Sequence, residues 1–288
     1  MFMTPEEHQP KRPIEDPEPG ASVFDSLNNY TLLLFAFSCY LMYTSLSMII
    51  FNMEFYATAL SIPALIGLIF PLGILAGRFG GGYIRDFDFT IPTLKTAMLV
   101  LLISAGSIVP IDAVTYLFER GRPVSENYIE FLVSIKPKGI WPLLALGVGT
   151  VVISPLGEEM LFRGLIQKVF HRNMDARLAV VLAGIVFACA HFDIRMIPGI
   201  TLMGIMMGYI YYRSRNILYP FLSHALFNLI SLVRLNATSV ESIRQGTHPA
   251  PSVIWLLGSL ALAATAIACF ETAARRVKKM RADNGPAS

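Results

Sequence analysis

Eight apolar runs of spanning length dominate this chain, near residues 30–51, 57–77, 92–114, 140–172, 177–192, 197–213, 217–235 and 252–274. A helix rises 1.5 Å per residue, so about 20 apolar residues cross a hydrocarbon layer of about 30 Å. Lipid offers no hydrogen-bond partner to a backbone N–H or C=O, so runs of this length are confined to helices. Composition agrees: 54% of the 288 residues are hydrophobic and 15% are charged, against about a quarter charged in soluble domains. The fold class read from this pattern is all-α: a polytopic integral membrane protein, a bundle of about eight transmembrane helices. The fourth run is too long for the bilayer alone. Its later part, Gln167 to Arg172, turns amphipathic, so it is expected to project beyond the membrane and turn back near Asn173 to Asp175.

Residues 1–26 are Pro-rich and acidic where a secretory signal would need a basic stretch, and are expected to form a disordered cytosolic tail. Residues 27–275 form the transmembrane domain, with its chemistry concentrated in 140–235, and 276–288 make a basic C-terminal tail. Of the 23 Lys and Arg, 15 fall on the side of the termini and 7 on the opposite side, so the positive-inside rule predicts both termini in the cytosol. The net charge of +3 is small and scattered, which argues against nucleic acid and fits contact with anionic lipid. Cys39, Cys189 and Cys269 stand singly in apolar stretches and are expected to be free thiols. The glycine pairs Gly73/Gly77 and Gly204/Gly208 each place two small residues one turn apart, which suits close helix packing.

Against this apolar background, Glu158, Glu159, Arg163, His191 and His224 should be rejected by a bilayer. An ionisable group in a membrane helix costs roughly 2.5–3.5 kcal/mol on insertion scales, so such groups mark function. Glu159 and Arg163 are four apart with the acid first, the favourable order for an intrahelical ion pair, and are assigned a positioning role. Glu158 lies about 100° round the helix and needs another partner. His191 is the expected one: counted from the turn near Asp175, Glu158 lies 17 residues back and His191 lies 16 forward. An antiparallel hairpin then brings them to one height, with Phe187 one turn before His191 walling the site from lipid. His224 and Asn228, four apart, share a face and offer an imidazole and a carboxamide as donors for a developing oxyanion. A carboxylate beside an imidazole, facing such donors, can set a water on an amide carbonyl. The expected architecture therefore encloses a polar catalytic cavity.

Other readings of the same residues stay open at this stage. The groups could bind a peptide partner in a non-catalytic scaffold or immunity-type protein, or carry protons in a coupled carrier, although no repeated half is visible. Glu and His could also hold zinc, but no His-Glu-x-x-His helix is present and Asn is a poor zinc ligand. A metal-free site without cofactor is the expectation.

At these residues the chain resembles the CAAX prenyl protease and bacteriocin-processing family. That family's motifs, Glu-Glu-x-x-x-Arg, Phe-x-x-x-His and His-x-x-x-Asn, occur intact and in order as Glu158 to Arg163, Phe187 to His191 and His224 to Asn228. The resemblance implies Glu158 as the base that activates water with His191, and His224 with Asn228 as the oxyanion donors. It places Glu159 and Arg163 behind Glu158. It further implies a metal-free endopeptidase acting near the C-terminus of a peptide or lipidated protein substrate of CAAX type. Substrate sequence, any lipid requirement and oligomeric state are not specified by these residues. One tension accompanies the orientation: with both termini cytosolic, His191 falls toward the far membrane face while His224 lies near the cytosolic one.

Overall fold

The computed structural model describes residues 22–78, 85–122, 124–245 and 250–283, and every element among them is helical. Helix α1 (Asn29–Asn52) is capped by Asn28, whose side chain accepts from the Thr31 N–H. Helix α2 (Tyr56–Arg78) is interrupted by a wider π-helical turn at Leu65–Ile69. Helix α3 (Leu94–Glu119) starts on a Thr93 cap and contains Pro110. A short amphipathic helix α4 (Glu126–Ile135) follows. Then come α5 (Ile140–Asn173), α6 (Ala176–Cys189), α7 (Ile197–Ser214), α8 (Leu218–Ala237) and α9 (Val253–Asp283).

The eight expected runs all appear as helices, but six are long and apolar enough to cross a membrane: α1, α2, α3, α5, α8 and residues 253–275 of α9. Helix α6 has only 14 residues because the chain leaves the helix after Cys189, short of the expected 192. Helix α7 reaches 18 residues, but Tyr209, Tyr211, Tyr212 and Arg213 dilute its apolar character. The outward faces carry the apolar residues that water would not tolerate, such as Ile74, Trp255 and Ile254, each more than 70% exposed, as expected of a multi-pass protein in lipid.

Helical structure reaches into both expected tails. The ordered fold reaches back to Ser22: Val23–Ser26 forms a helical turn, Val23 is buried, and the Ser22 hydroxyl donates to Asp86. Residues 1–21 lie outside the described residues. At the other end, α9 runs unbroken to Asp283, so most of the expected basic tail is helix. Cys39 is buried, Cys189 and Cys269 are exposed, and all three are free.

The main core joins α1, α2, α5, α6 and α7 through Leu32, Leu68, Met160, Phe162, Phe187 and Met207. Helices α6 and α7 cross at their glycines: a Cβ on Gly184 would stand 2.7 Å from the Ile205 backbone nitrogen, and one on Gly204 would stand 2.9 Å from the Gly184 carbonyl. Gly77, by contrast, faces open space, so the small-residue pairing expected there has no neighbour to serve. A groove of about 480 Å³ runs between α5 and α8, walled by Leu144, Val148, Val151, Leu229 and Val233. It is apolar. The polar residues at the centre pack against one another instead of lining it.

Candidate active site

Glu158 and Glu159 occupy the α-helical stretch Ser154–Leu161 of α5, bracketed by π-helical turns at Val148–Ile153 and Phe162–Ile166. Such turns are rare and recur at functional sites, because they re-aim the side chains that follow. Of the buried charged group, Glu158 keeps 8% exposure against 2% for His224, 1% for Arg163 and 0% for Glu159, so Glu158 is the member an incoming molecule can reach.

The two carboxylates have separate surroundings. Glu158 Oε1 accepts from the Ser154 hydroxyl at 2.6 Å, and the Tyr43 hydroxyl of α1 lies 3.3 Å from the same oxygen. The Ser154 and Tyr43 hydroxyls are themselves 2.8 Å apart. The other oxygen, Oε2, lies 3.9 Å from His224 Nε2, beyond a direct hydrogen bond. Glu159 Oε1 accepts from Arg163 Nη1 and from His224 Nδ1, each at 2.9 Å. A carboxylate only accepts, so Nδ1 of His224 carries a proton and Nε2 points toward Glu158.

Arg163 is fixed on three sides. It pairs with Glu159, donates through Nη2 to the Gly204 carbonyl at 3.1 Å, and lies with its guanidinium carbon 4.4 Å from the Phe187 ring centre. One turn on, Gln167 donates to the Gly208 carbonyl at 2.9 Å. Here the second glycine pair earns its place: a bare backbone lets α5 side chains reach α7 carbonyls. Phe187 is fully buried and meets Phe162 at 5.0 Å, His191 at 4.7 Å and His224 at 5.5 Å between ring centres.

The sequence reading expects His191 to partner Glu158; the contact His191 makes through Nδ1 is to the Phe187 carbonyl. His191 follows the end of α6, is exposed, and its Nδ1 is 2.8 Å from the Phe187 carbonyl; since a carbonyl only accepts, Nδ1 donates. The imidazole beside both glutamates is His224. His224 and Asn228 do not converge through direct contact: Asn228 Nδ2 donates to the Thr150 carbonyl, 2.8 Å away in the first π-helical turn of α5.

A sequence profile of the Rce1-like family, type II CAAX prenyl endopeptidases, matches residues 140–230. All three motifs lie inside that span. That match supports the resemblance of the motif-bearing core to the CAAX prenyl protease and bacteriocin-processing family. The chain is also similar to the Bacillus subtilis (strain 168) protein named "Putative membrane peptidase YdiL", 25% identical over 118 residues, which is 41% of this chain and 46% of that protein. It thus spans about half the length of the curated relative it matches. No solved structure matches the chain at a comparable level.

Sequence reasoning missed Tyr43, Ser154 and Thr150. Ser154 was within reach, being one turn before Glu158 on the same helix; Tyr43 is 115 residues away in an apolar helix and gave no signal. Around Glu158 the assembly supplies a partly accessible carboxylate oxygen, an imidazole of fixed tautomer facing it, and a carboxamide one turn further along α8. No three His, Cys, Asp or Glu side chains among the described residues are grouped to hold a metal ion.

Proposed function

We propose that this protein is an intramembrane endopeptidase in which Glu158 is the general base. The observation that carries the reading is the facing pair of Glu158 Oε2 and His224 Nε2, 3.9 Å apart. A water hydrogen-bonded at about 2.8 Å to each would bridge that gap. In this reading Oε2 takes the proton of the water as its oxygen attacks the carbonyl carbon. The proton then passes to the departing amine nitrogen, so the peptide bond breaks with no net change in the protein. Asn228 has a second amide N–H beyond the one given to Thr150, and this N–H would stabilise the oxyanion, while Nε2 of His224 accepts the second O–H of the attacking water. Glu159, itself held by Arg163, fixes the His224 tautomer. His191, at the exposed edge with Nδ1 engaged by the Phe187 carbonyl, is proposed to orient substrate or to pass the proton to the leaving group through Nε2. The donor set forms a base and an oxyanion donor from protein side chains alone, which supports a mechanism without a metal.

The proposed substrate is a peptide cleaved near its C-terminus, of prenylated CAAX type by analogy with the family. The proposed orientation has both termini in the cytosol. The test is mass spectrometry of a farnesylated CAAX peptide incubated with purified wild type and with Glu158→Gln, each with and without chelator. Loss of three C-terminal residues with wild type alone, unaffected by chelator, is the expected result. Cleavage by Glu158→Gln would overturn the assignment of the base, and chelator-sensitive cleavage would replace it with metal chemistry.

A further inference from the structure

Helix α1 lies outside the segment that matches the family, yet it touches the site twice. The Tyr43 hydroxyl reaches Glu158 Oε1 and Ser154, and one turn earlier the Tyr40 hydroxyl donates to the Ala190 carbonyl beside His191. Tyr43 is buried, and its ring lies 5.9 Å from that of Tyr40, which meets Phe162 of α5 edge-on at the same distance.

The backbone at Tyr43 is held in place independently. A Cβ on Gly67 would stand 2.6 Å from the Tyr43 nitrogen and 2.7 Å from its Cα, so α1 and α2 meet at Tyr43 with no side chain between them. Gly67 belongs to the π-helical turn of α2, and the next residue, Leu68, packs 3.0 Å from the position of a Cβ on Gly157, immediately before Glu158. The π-helical turn is thus a wedge touching both the backbone that presents Tyr43 and the backbone that presents Glu158.

The hydrogen bonds have one consistent direction. Tyr43 owns a single O–H, and Ser154 at 2.8 Å is a better acceptor for it than Glu158 at 3.3 Å. Ser154 in turn donates to Oε1 at 2.6 Å. Donors in series polarise one another, so each strengthens the next. With Oε1 engaged, Oε2 is the oxygen left facing His224.

We infer that Tyr43 and Ser154 are positioning residues that hold Glu158 by Oε1 and thereby select Oε2 as the atom that takes the proton from water. This rests on the endopeptidase reading above. The charged and titratable groups that act on Glu158 are His224, Tyr43, Tyr40 and Arg163, with Glu159 behind His224.

The experiment uses the full chain in lipid nanodiscs, as wild type, Tyr43→Phe, Ser154→Ala, Ser154→Thr and the double variant Tyr43→Phe/Ser154→Ala. Two readouts are taken: the infrared carboxylate band of Glu158, assigned by subtracting the Glu158→Gln spectrum, and kcat and KM on a farnesylated CAAX peptide. The band is expected to move in Tyr43→Phe and Ser154→Ala and to return in Ser154→Thr. Turnover is expected to fall about 10–100-fold with KM within about twofold, the scale of a misplaced catalytic group. The double variant should be no worse than Ser154→Ala, because Tyr43 acts through Ser154. An unmoved band in folded variants, or a raised KM at unchanged kcat, would overturn the inference. If the wild type cleaves nothing while the band moves as described, the positioning role stands and the proteolytic reading falls. If it cleaves while band and kcat stay put, the positioning role alone falls.

Discussion

Replacing Gly184 by Ala tests whether the α6–α7 crossing holds the site together. The new methyl would sit 2.7 Å from both the Ile205 nitrogen and its Cγ1, and 3.1 Å from the Gly204 carbonyl carbon. Backbone cannot rotate aside as a side-chain tip can, so α7 must move by roughly 0.7 Å to restore ordinary contact at 3.4 Å. Overpacking of this kind costs about 1–3 kcal/mol. The displaced carbonyl is the one that accepts from Arg163 at 3.1 Å, so part of a charge-assisted bond is lost as well. The expected total is about 2–4 kcal/mol, a fall of roughly 5–10 °C in melting temperature for a chain of this size. The assay is thermal unfolding in detergent by circular dichroism, with Gly258→Ala as the matched substitution. Gly258 has nothing within 4 Å of its would-be Cβ, so that variant should be neutral or slightly more stable. Equal melting shifts in the two variants would refute the claim that backbone contact, and not glycine content, sets the stability here.

Two further outcomes follow from the same contacts. Arg163→Lys keeps a positive charge near Glu159 but cannot serve Glu159, the Gly204 carbonyl and the Phe187 face together, so denaturant unfolding should show a loss of about 2–4 kcal/mol. Asp175 caps α6 by accepting from the backbone N–H groups of Arg177 and Leu178, which hold its carboxyl below the ordinary carboxylate range. A lowered pKa in the folded state gives stability that is present above the ordinary value, near pH 4, and is lost as pH falls through the lowered one. Wild type should therefore out-melt Asp175→Ala at neutral pH, and the two curves should converge in acid.

Helix positions were readable because solvation decides them: an apolar run of a given length has one resolution in lipid, and every expected run is a helix within a few residues. The shortness of α6 was not readable, because no Gly or Pro directly follows Cys189 to mark the place where the chain turns, with Phe192 at a φ of 53°. That turn also sets where His191 stands relative to α5. Counting residues from a hairpin assumes two regular helices, whereas α5 changes to a wider turn at Phe162–Ile166 and His191 lies past the end of its helix. The ion pair Glu159–Arg163 was legible because it is local, four residues apart on one helix. The contact of His224 with Glu159 spans 65 residues and depends on how three helices pack, information no local pattern carries.

Helix α6 has a consequence for the surrounding lipid. Its 14 residues rise only about 21 Å, some 9 Å less than a typical hydrocarbon layer, and its outer face presents Leu178, Val181, Ile185 and Val186 to the acyl chains. A span this short draws the leaflet inward or lets water follow the helix end, and that end is where His191 stands. A dent there would admit water at His191, and the thickness of the host membrane would set how far it reaches. Short-chain lipids would relieve the mismatch and dry the helix end, whereas long-chain lipids would deepen the dent and wet it.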